Sequence, residues 1–226
     1  MKKLFSIVLM MFCALTISAQ TDVTTFLGIP VDGFKADMRK KLIAKGFTPE
    51  TLKGEEYFEG EFNGYDVRVY IVTNNNKVYR LMVADRSHVN EAQIKIRFNN
   101  LCHQFEKNER YFTLKDFTIP EEEDISYEMT VHDKVYQAGF FQNPNSESIG
   151  ALGVAIDQEM KSKYTEEQLQ NPTKEIEEEY DRLREEKGLE LFSKKAVWFY
   201  IAESQGKYSI YMYYDNEYNK ANGEDL

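Results

Sequence analysis

Side chains able to act as nucleophiles, bases or metal ligands are few in this sequence and lie far apart. The three histidines are His88, after a predicted strand, His103, on a predicted helix, and His132, in a predicted turn. Cys102 adjoins His103, but neighbouring side chains on a helix point about 100° apart and so do not face each other. We therefore expect Cys102 to be a structural residue facing the core, since free cysteine is among the most buried residue types. We assign no catalytic residue.

A run of four acids, Glu121-Glu122-Glu123-Asp124, brings together oxygen atoms of the kind that hard cations prefer. A calcium loop alternates its ligands and uses glycine to fold them around the ion, whereas adjacent acids point in several directions. We interpret this run as a solvated loop. The sequence has no zinc motif, phosphate-binding glycine loop or serine nucleophile elbow, so we predict neither a metal nor a cofactor.

Carboxylates that are distant in the sequence keep an enzymatic alternative open. Hydrolysis by a carboxylate pair requires only that two acids meet in space. Glu128 and Asp157, which are distant in the sequence, are one candidate pair. A carboxylate-based hydrolase is therefore the alternative function, and it would require a buried cleft that raises the pKa of one carboxyl group.

Four aromatic residues near the end of the chain form the candidate binding site. Residues 196–203 and 207–214 alternate in hydrophobicity around Gln205-Gly206, which predicts a two-residue β-hairpin. This register pairs Trp198 with Tyr213 and Tyr200 with Tyr211 on one face. On the opposite face it pairs Val197 with Tyr214, Phe199 with Met212 and Ile201 with Ile210.

We call Trp198, Tyr200, Tyr211 and Tyr213 the aromatic ladder. Trp and Tyr offer large, stiff, amphipathic contact area, so the ladder predicts a surface that binds a protein or a glycan. The alternative is that another part of the chain covers the ladder, because exposed patches of that size are uncommon in monomers.

The first half, residues 20–110, is predicted to contain a helix, a three-stranded meander and a second helix. The first helix follows Asp32-Gly33 and ends before Gly46. Asn63-Gly64 predicts a hairpin that pairs Phe62 with Tyr65, Phe58 with Val69 and Glu59 with Arg68. A three-residue turn at 74–76 is expected to set Ile71 opposite Tyr79, Val69 opposite Leu81 and Val67 opposite Val83. The second helix lies between residues 90 and 107, with Ile94, Phe98, Leu101 and Phe105 at helical spacing.

The second half, residues 111–226, is predicted to repeat this arrangement around a helical insertion. Ile125, Tyr127, Met129 and Val131 alternate, and a turn at His132-Asp133 is expected to return the chain through Tyr136, Ala138 and Phe140. The insertion, residues 143–195, contains a capping box at Thr165-Glu166-Glu167-Gln168 and a charged helix over 173–187. The narrow stripe of that helix, Ile176, Tyr180 and Leu183, is expected to dock on the sheet; the alternative is that the helix projects toward a partner.

The beginning of the chain has the pattern of a secretory signal. Two lysines precede an apolar run over residues 4–17 and the small residues Ser18 and Ala19, which predicts a signal peptide over 1–19 that is cleaved near Ala19. We expect an exported protein, periplasmic or extracellular, with no membrane span after signal removal. Loss of Lys2 and Lys3 takes the net charge from −10 to −12. An excess of acids over bases disfavours a nucleic-acid partner.

Both ends of the chain carry short motifs that resemble a known group. Residues 26–33 (FLGIPVDG), Lys45-Gly46-Phe47, residues 213–216 and the ending at 222–226 (NGEDL) together resemble uncharacterised exported proteins of the Bacteroidetes. The repeated helix-plus-meander pattern also looks like tandem β-lactamase-inhibitor-protein-like domains, and this resemblance implies binding rather than catalysis.

The prediction is therefore an α+β protein made of two helix-plus-antiparallel-meander halves, with a helical insertion in the second. We expect a non-catalytic protein that binds a protein or a glycan through the aromatic ladder. Besides the hydrolase, a cell-envelope assembly or structural role is an alternative. The oligomeric state has no signal in the sequence.

Overall fold

One eight-stranded antiparallel sheet dominates this α+β chain, in a computed structural model that describes residues 22–221. The predicted signal peptide and the ending at 222–226 lie outside the described residues. A small hairpin, β1 (Thr25–Phe26) and β2 (Ile29–Pro30), comes first. The strands of the large sheet are β3 (Thr48–Leu52), β4 (Glu55–Phe62), β5 (Tyr65–Asn74), β6 (Lys77–Asp85), β7 (Tyr111–Phe112), β8 (Gln137–Gln142), β9 (Ala196–Ser204) and β10 (Lys207–Asp215).

The sheet order is β3-β4-β5-β6-β10-β9-β8-β7, so its two halves meet where β6 pairs with β10. One continuous core contains buried residues from both predicted halves, for example Val69 and Leu81 from the first and Phe140 and Phe199 from the second. The division into two domains near residue 110 stays a prediction. Among the described residues, no helix has the length and apolar character needed to cross a membrane.

Two predicted helices cover one face of the sheet. They are α1 (Lys35–Ala44), which buries Met38 and Leu42, and α2 (Glu91–Glu106), which buries Ile94 and Phe98. Asn90 and Gln93 form a capping box at the start of α2, which satisfies backbone N–H groups that the helix itself leaves free. We call this helix-covered side the core face and the other side the open face.

The β4–β5 hairpin has the predicted register, with Phe62 opposite Tyr65, Phe58 opposite Val69 and Glu59 opposite Arg68. Its two turn residues both have positive φ, 52° at Asn63 and 75° at Gly64, as a tight hairpin turn of this twist requires.

The predicted β5–β6 register is wrong by two residues. Ile71 lies opposite Leu81, Val69 opposite Val83 and Val67 opposite Asp85. The turn has two residues, Asn75 and Asn76, and an irregularity next to Val72 inserts one further residue on β6. Because the shift is an even number of residues, the apolar side chains still face the core.

The predicted strand over Ile125, Tyr127, Met129 and Val131 is wrong, because these residues form helix α3 (Ile125–Val131). Two polar side chains determine this outcome: the Asp124 carboxylate accepts from Tyr127 N–H, and Glu91 Oε1 accepts from Ile125 N–H. The predicted return strand is confirmed as β8, which buries Ala138 and Phe140. The meander of this half is therefore built from β7 to β10.

The insertion is helical, as predicted, and forms α4 (Ser146–Lys163), α5 (Glu166–Gln170) and α6 (Lys174–Ser193). The expected docking of its stripe on the sheet is wrong. Ile176 and Leu183 of α6 instead pack with Ile156 and Met160 of α4 in a second hydrophobic cluster, separate from the main core. The stripe finds its apolar partner inside the insertion, in a helix that the sequence analysis did not identify. We call these three helices the helical hairpin.

Candidate binding face

The aromatic ladder lies on the open face of β9 and β10. The predicted register is confirmed: Trp198 is opposite Tyr213 and Tyr200 is opposite Tyr211. The turn residues Gln205 and Gly206 have φ of 54° and 71°, so the tight turn fixes the pairing of both strands. Strict alternation then sends Val197, Phe199 and Ile201 and their partners to the core face and the four ladder rings to the open face.

The four rings are nearly parallel. The Trp198 and Tyr213 ring centroids are 4.2 Å apart at 17°, and those of Tyr200 and Tyr211 are 5.8 Å apart at 17°. The planes of Tyr200 and Tyr213 differ by only 6°. Rings that stack across paired strands cover one another's faces, so the ladder presents ring edges and phenol groups outward. All four side chains are half-buried.

An ion pair anchors the end of the ladder nearest Trp198. Arg80 donates from Nε and Nη2 to the two carboxylate oxygens of Asp215, at 2.5 and 2.8 Å. Trp198 Nε1 donates to the same carboxylate at 2.9 Å. The guanidinium also lies over the Tyr213 ring, 4.8 Å from its centroid. The guanidinium is also 5.5 Å from the Trp198 ring, so Arg80 and Trp198 contact Tyr213 from adjacent directions, and burial raises the pKa of Tyr213 to about 12.

The aromatic surface continues beyond the predicted ladder. On the open face, Tyr213 is opposite Met82 and Met82 is opposite Tyr70. Tyr70 stacks on Tyr57 of β4, with centroids 5.7 Å apart. The sequence analysis missed these residues because their place beside the ladder depends on the pairing of β6 with β10, which no local pattern encodes. We call the surface formed by the ladder, Met82 and Tyr70 the aromatic face; Tyr57 is itself buried and supports the Tyr70 ring.

One ring face of the ladder adjoins open space. Trp198 is stacked on Tyr213 on its β10 side, while on its β8 side it is opposite Gly139, which has no side chain. A Cβ atom built on Gly139 would meet no atom within 4 Å. The indole therefore borders open space over Gly139 of β8.

The thiol and imidazole groups do not form a site. Cys102 is fully buried in the core, as predicted, and burial raises the pKa of its thiol to about 12. A thiol with such a pKa is almost entirely protonated at neutral pH and is a poor nucleophile. His132 contacts Glu128 on the surface of α3, with Nδ1 and Oε2 2.9 Å apart.

Two acids of the 121–124 run, Glu123 and Asp124, have separate structural partners. Glu123 contacts Lys134 and Tyr136, and Asp124 caps α3. Among the described residues, no group of three or more His, Cys, Asp and Glu side chains is placed to hold a metal ion.

The two acids of the alternative hydrolase have different surroundings. Asp157 lines a cleft in the helical hairpin, and Glu128, which contacts His132, is not among the residues that line that cleft. The structure therefore does not place this pair in a shared pocket there.

Comparisons of the chain with protein-family models, with curated proteins and with solved structures found no match.

Proposed function

We propose that this chain is an exported, non-catalytic binding protein that holds a protein partner on its aromatic face. The observation that carries the proposal is the orientation of the four ladder rings. Interface hot spots are rich in Trp and Tyr, because these side chains lose little conformational entropy when they are buried. Here stacking and the Arg80–Asp215 pair already hold the rings in place, so binding would immobilise them at little further cost.

The edges that the ladder presents favour a protein over a glycan. A sugar ring binds by lying flat against an aromatic face, whereas Trp198 stacks on Tyr213 from the β9 side and Met82 lies opposite Tyr213 on the β6 side. Ring edges and phenol hydroxyls suit a polypeptide, whose carbonyl groups accept hydrogen bonds and whose aromatic side chains pack edge to face.

The test is affinity capture from an envelope extract of the source cell, with quantitative mass spectrometry. The double variant Tyr200→Thr, Tyr211→Thr replaces two rings with β-branched side chains, which suit a strand. The matched control Tyr127→Ala removes an exposed ring from α3, whose Ile125 belongs to the core beneath the opposite face. We expect at least about tenfold less of one discrete protein with the double variant, which is the loss typical of a hot spot. Equal recovery with all three chains would contradict the proposal.

One observation supports a glycan as the second candidate, namely the open space beside the Trp198 indole over Gly139. A Gly139→Val variant discriminates the two, because valine suits a strand and fills this gap while leaving the ring edges unchanged. A glycan that stacks on the indole is expected to quench the emission of Trp198, the single tryptophan of the chain, and Gly139→Val to abolish that response. Capture of a protein partner is expected to survive the same change.

A further inference from the structure

A cleft that lies away from the aromatic face is formed within the helical hairpin. It encloses about 590 Å³ between the second half of α4, helix α5 and the first half of α6. Ligand sites commonly have volumes of about 300–1,000 Å³. Its floor is apolar and is formed by Met160, Leu169, Ile176 and Tyr180.

The rim of this cleft is mainly acidic. Asp157 lies on the α4 side, and Glu177 and Asp181 lie on the α6 side; all three are exposed, as is Lys161, the one base of the lining. The ion pairs of the hairpin use other acids, including Glu159, Glu179 and Glu186. Within the described part of the chain, none of the three rim carboxylates forms an ion pair, so their charges are available to a ligand.

The spacing of the rim acids matches a helical ligand. Glu177 and Asp181 are one turn apart on α6, so their Cα atoms are about 6 Å apart along the axis. Basic residues four apart on a helix have the same spacing along one face. An amphipathic helix that places leucine-type side chains on the floor would therefore bring Lys or Arg residues to the rim on both sides.

We propose that the cleft of the helical hairpin binds a basic amphipathic helical segment of a partner protein. Apolar side chains of the segment bury Met160, Leu169 and Ile176 more fully, and its basic residues pair with Asp157, Glu177 and Asp181. This site is independent of the aromatic face, because the hairpin has its own hydrophobic cluster and the two sites share no residue.

The test uses a fluorescently labelled helical peptide of about 18 residues, or five turns, built from Leu and Lys with Lys placed four residues apart. A matched peptide carries Glu in place of each Lys. We expect the Lys peptide to bind the purified protein, measured by fluorescence anisotropy, and the Glu peptide not to bind. Equal binding of both peptides, or binding of neither, overturns the proposal.

Charge variants separate the cleft from general attraction to an acidic protein. The double variant Glu177→Gln, Asp181→Asn removes two rim charges, and the control Glu178→Gln, Glu185→Gln removes two exposed charges of α6 that do not line the cleft. We expect the rim variant to weaken binding about fivefold or more, as the loss of two exposed ion pairs implies, and the control to change it little. Equal weakening by both variants overturns the site.

Two further measurements fix the class of ligand and the location. Leu169→Ala removes part of the apolar floor and is expected to weaken binding of the Lys peptide. Circular dichroism of the variant checks that its helical content is unchanged. If a small quaternary-ammonium surfactant binds in the cleft and the Lys peptide does not, the occupant is not a helical peptide and the proposal is overturned. The ladder variant Tyr200→Thr, Tyr211→Thr is expected to bind the Lys peptide as the native chain does. The proposal for the cleft can therefore fail while the proposal for the aromatic face stands, and the reverse.

Discussion

Replacing Asp215 with asparagine is expected to destabilise the fold and to alter the ladder. The carboxylate accepts three hydrogen bonds, two from Arg80 and one from Trp198 Nε1. An amide has one oxygen acceptor, so at least one of these donors faces an NH₂ group, and Arg80 loses its counter-charge. Hydrogen bonds to charged groups contribute about 1.5–3 kcal/mol each, and removing one partner of a buried ion pair costs about 3–5 kcal/mol.

The Asp215 side chain is 6% exposed and Arg80 is 23% exposed, so water can replace part of what the guanidinium loses. We therefore expect the free energy of unfolding to fall by about 2–4 kcal/mol, below the full cost of a buried pair. The matched control is Glu59→Gln. It breaks two looser pairs on the same face, those of Glu59 with Arg68 and with Arg86, both at 3.3 Å. Glu59 is 24% exposed and the two arginines are 34% and 48% exposed, so the change is expected to cost about 0–1 kcal/mol.

The assay is urea denaturation followed by far-UV circular dichroism and by tryptophan emission. Because Trp198 is the single tryptophan, emission of the folded state reports directly on the ladder. We expect Asp215→Asn to shift this emission and Glu59→Gln to leave it unchanged. A loss below about 1 kcal/mol, or the same loss in both variants, would refute the assignment of Asp215 as the anchor of the ladder.

Three further predictions concern groups elsewhere in the fold. Asp22→Asn removes the partner of Lys195, whose side chain is 1% exposed and also donates to Asn143 O, so urea denaturation is expected to show a loss of about 2–4 kcal/mol. Burial raises the pKa of Asp22, but the hydrogen bonds from Lys195 and from Asn145 N–H outweigh it and leave the pKa lowered. The stability from this pair is therefore present above pH 3.8 and lost as the pH falls through the pKa of the folded state. An equal loss at low pH in Asp22→Asn would contradict a role for the pair. Cys102 is expected to resist iodoacetamide in the native state and to be labelled only on unfolding, as measured by peptide mass spectrometry; fast native labelling would contradict its burial. The raised pKa of Tyr213 means that the unfolded state ionises first, so the free energy of unfolding is expected to fall between pH 10 and 12, and less steeply in Tyr213→Phe; identical slopes would contradict the burial of Tyr213.

Local pattern was sufficient where a short turn fixes a register. Asn63-Gly64 and Gln205-Gly206 each supply two residues with positive φ, so alternation on either side places every side chain of β4–β5 and β9–β10 on the correct face. The ladder followed from the second hairpin alone. The turn at Asn75-Asn76 has the same geometry, so the expected three-residue turn accounts for one residue of the β5–β6 register error. The irregularity beside Val72, which is not visible in residue types, accounts for the other.

Long-range pairing is what local pattern did not predict. Residues 125–131 alternate like a strand, yet the Glu91 side chain, 34 residues away, accepts from the first turn and stabilises a helix. The Arg80–Asp215 anchor joins residues 135 apart and exists only because β6 lies beside β10. The stripe of α6 was visible, but its partner α4 was not, so the stripe was expected to dock on the sheet.

Site-specific photocrosslinking can show whether the aromatic face holds a protein partner. A photoreactive phenylalanine analogue replaces Tyr211 in one chain and Tyr127, 51% exposed on α3, in a matched control. After irradiation with envelope extract, we expect one discrete crosslinked protein from position 211 and none from position 127. Crosslinks of equal yield from both positions, or a partner that co-purifies with the chain but never crosslinks from position 211, would contradict it.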